Sequence, residues 1–252
     1  MTPEVARGRV MVVTGGSRGI GAATARLAAG RGYRVAIAYA TNDALAESVV
    51  AGIRRAGGEA TACAADVADP GAVEELFQNV DKVFGRVHAL VNSAGVRGEL
   101  AEIRQLDVNV LHRVIAVNVL GTFHCVQEAV RRMAKTCGGQ GGAIVNVSSE
   151  AARFGGNRLS AYAAAKAGVN AMTIGIAREL APEGIRINAV SPAIIDTDQH
   201  AGLTPEHRAE IERGLPMGRM GTAEEVAETI LWLLSDQASY ITGAIVPVHG
   251  GR

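Results

Sequence analysis

Tyr162 and Lys166 stand four residues apart in a stretch, Ala161 to Leu180, made almost wholly of apolar and small residues. On a helix that step puts both side chains on one face. A phenol titrates near 10 and is a poor base at neutral pH. An adjacent ammonium favours the phenolate and so lowers the phenol's pKa. Such a pair can give a proton to a carbonyl oxygen or take one from an alcohol. Ser149 lies thirteen residues earlier and offers a hydroxyl to the same oxygen. Singly, each feature is commonplace. A Tyr-x-x-x-Lys on a helix is usually incidental, a serine after a strand is usually a cap or turn, and an asparagine such as Asn118 in mid-helix often faces solvent. Chemistry is indicated by their occurrence together, behind a glycine loop.

That loop is Thr14-Gly15-Gly16-Ser17-Arg18-Gly19-Ile20-Gly21. It joins an apolar strand, Val10 to Val13, to an Ala-rich helix reaching about Ala29. A turn this tight needs positive φ, and a missing Cβ lets backbone N–H groups approach a pyrophosphate. The helix N-terminus supplies partial positive charge for that anion. Between a strand and a helix, the glycines predict a nucleotide site.

The elements that hold these residues alternate. After the first strand and helix come a strand at Arg34–Tyr39 and a helix from Asn42 or Asp43 to about Ala56. A strand at Ala60–Ala64 leads to a helix opened by Asp69-Pro70 and running to about Phe84, with proline at its first position. A fourth strand, Val87–Asn92, precedes one long helical stretch from about Leu106 to Ala134. Glycines 138, 139, 141 and 142 lead into a strand at Ala143–Val147. The helix at Ala161–Leu180 and a strand at Arg186–Val190 follow. Thr222 and Glu225 form a capping box for a helix containing Trp232, and Ala244–Val248 is the last strand. Continuous apolar strands alternating with helices predict an α/β fold, a doubly wound parallel sheet covered on both faces. No linker divides the chain, so residues 1–252 read as one domain. The segment 198–221, rich in Gly and Pro around a short helix capped by Thr204, reads as a substrate lid or as an ordinary surface helix.

Several classes are excluded or disfavoured. The 25 basic and 25 acidic residues balance, which argues against nucleic acid or an anionic membrane as partner. No segment of roughly 18 to 20 apolar residues is present to span a bilayer, and Met1 to Arg9 has no apolar signal core. Cys63, Cys125 and Cys137 are too few and too scattered for a disulfide framework or a zinc site. They read as reduced thiols in a cytoplasmic protein. The six histidines show no metal-ligand spacing, so no metal site is expected; His200 and His207 fall in the candidate lid.

The spacing T-G-x-x-x-G-x-G is the first of a series of motifs. It is followed in order by Asp66-Val67, Asn92-Ser93-Ala94-Gly95, Asn118, Ser148-Ser149, Tyr162-x-x-x-Lys166 and Ser191-Pro192-Ala193-Ile194-Ile195-Asp196-Thr197. Across essentially the whole chain this set resembles the short-chain dehydrogenase/reductase family. The resemblance implies a Rossmann-type sheet and a hydride transfer between a nicotinamide cofactor and a secondary alcohol or ketone. Tyr162 would be the acid/base, Ser149 the carbonyl polariser, and Lys166 would tune Tyr162 and hold the nicotinamide ribose. Asn118 would hold a water in a proton relay. The cofactor would be bound by Gly15, Ser17, Arg18, Gly19, Ile20, Gly21, Asp66, Val67, Asn92, Ala94, Gly95, Pro192, Ile195 and Thr197, with Tyr162 and Lys166. The second strand ends Tyr39-Ala40-Thr41-Asn42 without the acid that would repel a 2′-phosphate, and Arg18 with Thr41 and Asn42 would receive one. NADP(H) is therefore expected, with NAD(H) still open because Ala40 replaces a second basic residue. A homotetramer acting on a small-molecule substrate is implied as well. The Tyr-to-Lys step of four resembles alcohol/carbonyl chemistry, where enoyl-thioester reducers commonly use a wider one. The alternatives are a nucleotide-binding sensor or scaffold without turnover, and an isomerase or epimerase. Two departures from the family are Pro192-Ala193 in place of Pro-Gly, and His249 where many relatives carry Asp. Arg97, Arg153 and Arg158 point to an anionic or polar substrate unless they are surface charges.

Overall fold

A computed structural model of the protein describes residues 6–198 and 202–252. Nine strands and nine α-helices are labelled here along these residues. They begin β1 (Val10–Thr14), α1 (Gly19–Gly30), β2 (Arg34–Tyr39), α2 (Asp43–Arg55), β3 (Glu59–Ala64), α3 (Pro70–Phe84) and β4 (Val87–Asn92). They continue α4 (Val108–Ile115), α5 (Gly121–Met133), β5 (Gly142–Val147), α6 (Ala151–Phe154), α7 (Ser160–Leu180) and β6 (Ile185–Pro192). The last are β7 (Ile195–Asp196), α8 (Pro205–Arg213), β8 (Gly221–Thr222), α9 (Ala223–Leu234) and β9 (Ile245–Val248). Caps fall where side chains supply them. Asn42 accepts from Leu45 N–H to start α2, Asp69 accepts from Gly71 and Ala72 to start α3, and Thr222 with Glu225 closes the capping box of α9.

Seven strands form one parallel sheet in the order β3-β2-β1-β4-β5-β6-β9. Val13 lies beside Ile37 on one side and Val91 on the other, all fully buried. One apolar core joins the sheet to α1, α2 and α9; the other joins it to α3, α5 and α7. Both faces are covered, which is why these strands read as unbroken apolar runs. Strand order reverses between β1 and β4, and a crevice opens there at the carboxyl ends of the strands.

The stretch expected as one helix from Leu106 to Ala134 is continuous but not uniform. Between α4 and α5, residues Ala116–Leu120 make a π-helical turn, an insertion that periodicity does not reveal. The four-residue α6 was also not expected; Gly155 at φ +71° ends it. The segment 198–221 carries α8, started by Thr204 as expected. Its two ends are held by pairing of β7 with β8, Ile195 beside Gly221 and Asp196 beside Thr222. His200 lies outside the described residues.

Candidate active site

Thr14, at the end of β1, organises the crevice. Its hydroxyl accepts from the N–H groups of both Ser93 and Ala94, tying the ends of β1 and β4 together. Gly15 follows at φ +64°, and a Cβ there would fall 2.8 Å from Ala94 Cα. Only glycine fits both the turn and that approach. The chain then extends through Arg18 into the first turn of α1.

A cleft of about 540 Å³ runs from this loop across the switch point to α7. Most of the residues expected to bind cofactor line it: Gly15, Ser17, Arg18, Gly19 and Ile20 from the loop, and Thr41 after β2. Asp66 and Val67 follow β3, and Ala94 and Gly95 follow β4. Pro192, Ile195 and Thr197 close the far side, and Ser149, Tyr162 and Lys166 stand at one end. Four expected residues do not line it. Gly21 is buried in the first turn of α1. Asn42 has its side-chain oxygen on Leu45 N–H as a helix cap. Asn92 is buried and donates to Asn146 Oδ1 at 2.9 Å, while Asn146 in turn donates to Thr173 Oγ1. Its amide nitrogen is thus held by the neighbouring strand, while its Oδ1 is buried without a protein partner. Asn118 is fully buried behind Gly95.

Asn118 occupies the π-helical turn. Its Nδ2 donates to the carbonyls of Val96 and Val114, each at 2.8 Å. Its Oδ1 is buried without a protein partner, 2.8 Å from where a Cβ on residue 95 would sit. A buried carbonyl oxygen with no donor is an acceptor for a water or a bound group.

At the chemical end, β5 delivers Ser149 and α7 delivers Tyr162. The Tyr162 hydroxyl and the Ser149 hydroxyl are hydrogen-bonded. Burial raises the Tyr162 phenol above its ordinary value, outweighing the lowering by the Ser149 bond and the Arg97 charge. Lys166 is not among the groups that shift it. Lys166 Nζ lies 5.7 Å from the Tyr162 ring centroid and donates instead to the Val147 carbonyl at 2.7 Å. Burial pushes the Lys166 ammonium down to about 8. The phenol is thus a proton donor in this state, the form that carbonyl reduction requires.

Sequence reasoning missed one pair. Arg113 of α4 lines the cleft and bonds Asp66 at 2.7 Å. Burial raises the Asp66 carboxyl, but Arg113 and the Ala68 N–H together bring it below its usual value. The only available signal was an arginine one helical turn and a residue before Asn118, which spacing alone does not mark. At the end of β2, Tyr39 hydrogen-bonds Asp43, and its phenol is pushed up to about 12 by that bond. Ala193 causes no strain, since Arg158 is the one non-glycine residue with positive φ among the described residues. His249 accepts the Gly251 N–H on Nδ1 at 3.0 Å. No cluster of metal-ligating side chains occurs among the described residues.

The residues fit a dinucleotide. A glycine cradle that a Cβ would fill faces the N-terminus of α1, and an orphaned acceptor lies beneath the cleft floor. Fold and site together define a nucleotide-dependent oxidoreductase on a doubly wound sheet. A family model described as enoyl-(acyl carrier protein) reductase matches residues 15–252. An uncharacterized oxidoreductase, YgfF, of Escherichia coli K12 is 44% identical over 245 residues, covering 96% of this chain and 99% of the relative. A cis-4-hydroxycyclohexanecarboxylate dehydrogenase of Sinomonas cyclohexanicum is 42% identical, covering 96% of each chain. A 3-oxoacyl-[acyl-carrier-protein] reductase of Staphylococcus aureus is 38% identical, covering 95% of this chain and 96% of the relative. A short-chain dehydrogenase/reductase structure from Serratia marcescens superposes with a TM-score of 0.90 at 36% identity, covering 98% of each chain. The chain belongs to the short-chain dehydrogenase/reductase family and is an NAD(P)-dependent oxidoreductase.

Proposed function

We propose that this protein reduces a ketone to a secondary alcohol, and runs the reverse oxidation, with NADP(H) as cofactor and Tyr162 as acid/base. The reading rests on the hydrogen-bonded pair of Ser149 and Tyr162 at the end of the cleft. A bound nicotinamide would supply the hydride. The Ser149 hydroxyl donates to the carbonyl oxygen and polarises it. Tyr162, protonated, gives its proton to the same oxygen as the alcohol forms. Lys166 holds the end of β5 against α7 through Val147 and, lining the cleft, would hold the nicotinamide ribose. Asn118 offers Oδ1 to a water that would return the proton from behind Gly95. The four-residue step from Tyr162 to Lys166 favours carbonyl chemistry over the enoyl reduction for which the matching family model is named.

NADP(H) is favoured by Arg18, which lines the same cleft as Thr41 and has no ion pair among the described residues. A guanidinium there can clamp a 2′-phosphate. The family's oligomers suggest a homotetramer, and α7 leaves Ala164, Ala167, Ala171 and Ile174 exposed on one face. The segment 198–221 is read as a lid on one domain. No helix among the described residues is long and apolar enough to cross a membrane. The three cysteines are free, which suits the cytoplasm.

The test is a panel of ketones and enoyl thioesters with NADPH and NADH, followed by loss of the reduced-nicotinamide absorbance. Ketone-dependent oxidation of NADPH is expected. Turnover of enoyl thioesters alone, or none with any carbonyl, would remove the proposal.

A further inference from the structure

We infer that Arg97 is a substrate-binding residue that receives a carboxylate, so that the molecule reduced is a keto acid and the molecule oxidised a hydroxy acid. This rests on the reading of the cleft as a carbonyl-reducing site and names the class of its substrate. Arg97 lines the cleft at the end where Ser149 and Tyr162 stand. Among the described residues its guanidinium has neither an ion pair nor a hydrogen-bond partner.

The other cations of the cleft are differently engaged. Arg113 is held by Asp66, Lys166 is buried on the Val147 carbonyl, and Arg18 sits on the glycine loop at the nucleotide end. Of the three arginines that the sequence marked beside the substrate region, Arg97 is the one that reaches the cleft. Arg153 lies over the Phe154 ring at 4.8 Å, and neither it nor Arg158 lines the cavity.

The backbone on both sides of Arg97 is fixed. The Val96 carbonyl accepts from Asn118 Nδ2 at 2.8 Å. Gly98, at φ +73°, is packed so closely on Val110 and Val114 that a Cβ would come within 3.0 Å of each. A few residues on, Ala101 N–H donates to the Arg158 carbonyl at 3.0 Å. An unpaired guanidinium on an anchored turn, beside the proton donor, is arranged to take a planar anion in bidentate fashion. A neutral ketone leaves that charge unused; a keto acid pairs it while the carbonyl meets Ser149 and Tyr162.

The test uses matched probes with NADPH: 4-oxocyclohexanecarboxylate and 4-oxopentanoate, each against its methyl ester. The intact enzyme is expected to prefer acid over ester in kcat/KM by about tenfold or more. Arg97→Gln should collapse that ratio, mainly through KM for the acids, with an unchanged melting temperature. Arg97→Lys should keep part of it, as a point charge without the bidentate fork. An acid/ester ratio that is the same in the intact enzyme and Arg97→Gln overturns the proposal, as does a preference for the esters. If esters and acids are reduced equally well in a Tyr162-dependent manner, the carbonyl reading survives and the carboxylate site falls. If no keto compound is reduced in a Tyr162-dependent manner, both fall.

Discussion

The ammonium of Lys166 donates to the carbonyl of Val147 at 2.7 Å, and the hydroxyl of Ser148 donates back to the carbonyl of Lys166 at 3.2 Å. Strand β5 and helix α7 are thereby latched where each delivers one member of the Ser149–Tyr162 pair. The latch places a cation in a buried setting. Its pKa is about 8 in the folded protein against an ordinary value of 10.5. Below pH 8 the ammonium is charged in both folded and unfolded chains. Between 8 and 10.5 the unfolded chain binds the extra proton, so this group adds stability as pH rises. The melting temperature of the intact protein minus that of Lys166→Met should therefore grow from pH 8 to 10.5. A difference that is flat or falls across that window would contradict the burial argument.

Arg18 should set the cofactor preference. A charge-assisted bond to a 2′-phosphate contributes about 1.5–3 kcal/mol, so Arg18→Ala should raise KM for NADPH by roughly 10- to 100-fold. KM for NADH should change only a few-fold. Steady-state kinetics with both cofactors decides it; equal losses for the two would make Arg18 a general contributor to the loop rather than a phosphate receptor.

The amide chain from Asn92 through Asn146 to Thr173 should matter for stability. Asn146→Ala strands a buried donor on Asn92, while the Thr173 hydroxyl loses one donor and keeps its own bond to the Val169 carbonyl. A cost of about 1–3 kcal/mol follows from leaving that buried donor unpaired. Denaturant unfolding measures it, and a loss under about 0.5 kcal/mol would show that the chain relaxes or that water replaces it.

How much of this was legible in the sequence divides by distance along the chain. The glycine loop, the Tyr162–Lys166 step and the capping box at Thr222 are local patterns, and each lies on the expected element. Strand and helix identities followed for the same reason, because periodicity and caps act over a few residues. What was not legible depends on partners far apart. Asp66 meets Arg113, Asn92 meets Asn146, and Lys166 meets Val147. No local pattern distinguishes an Asn92 that faces a cofactor from one that faces another strand. The π-helical turn at Asn118 escaped because one extra residue in a turn leaves the apolar pattern of α4 and α5 nearly intact. Lys166 was expected to act on the phenol; folding placed its ammonium on a carbonyl, and burial came to dominate Tyr162.

The central claim is that the Tyr162 hydroxyl is the proton donor of a dinucleotide-dependent carbonyl reduction. Tyr162→Phe removes that oxygen and leaves the ring and the glycine cradle in place. With a ketone found in the panel, kcat should fall by about 100-fold or more, while NADPH binding followed by its fluorescence should change no more than about threefold. A phenylalanine variant that turns over at near the parent rate would contradict the account.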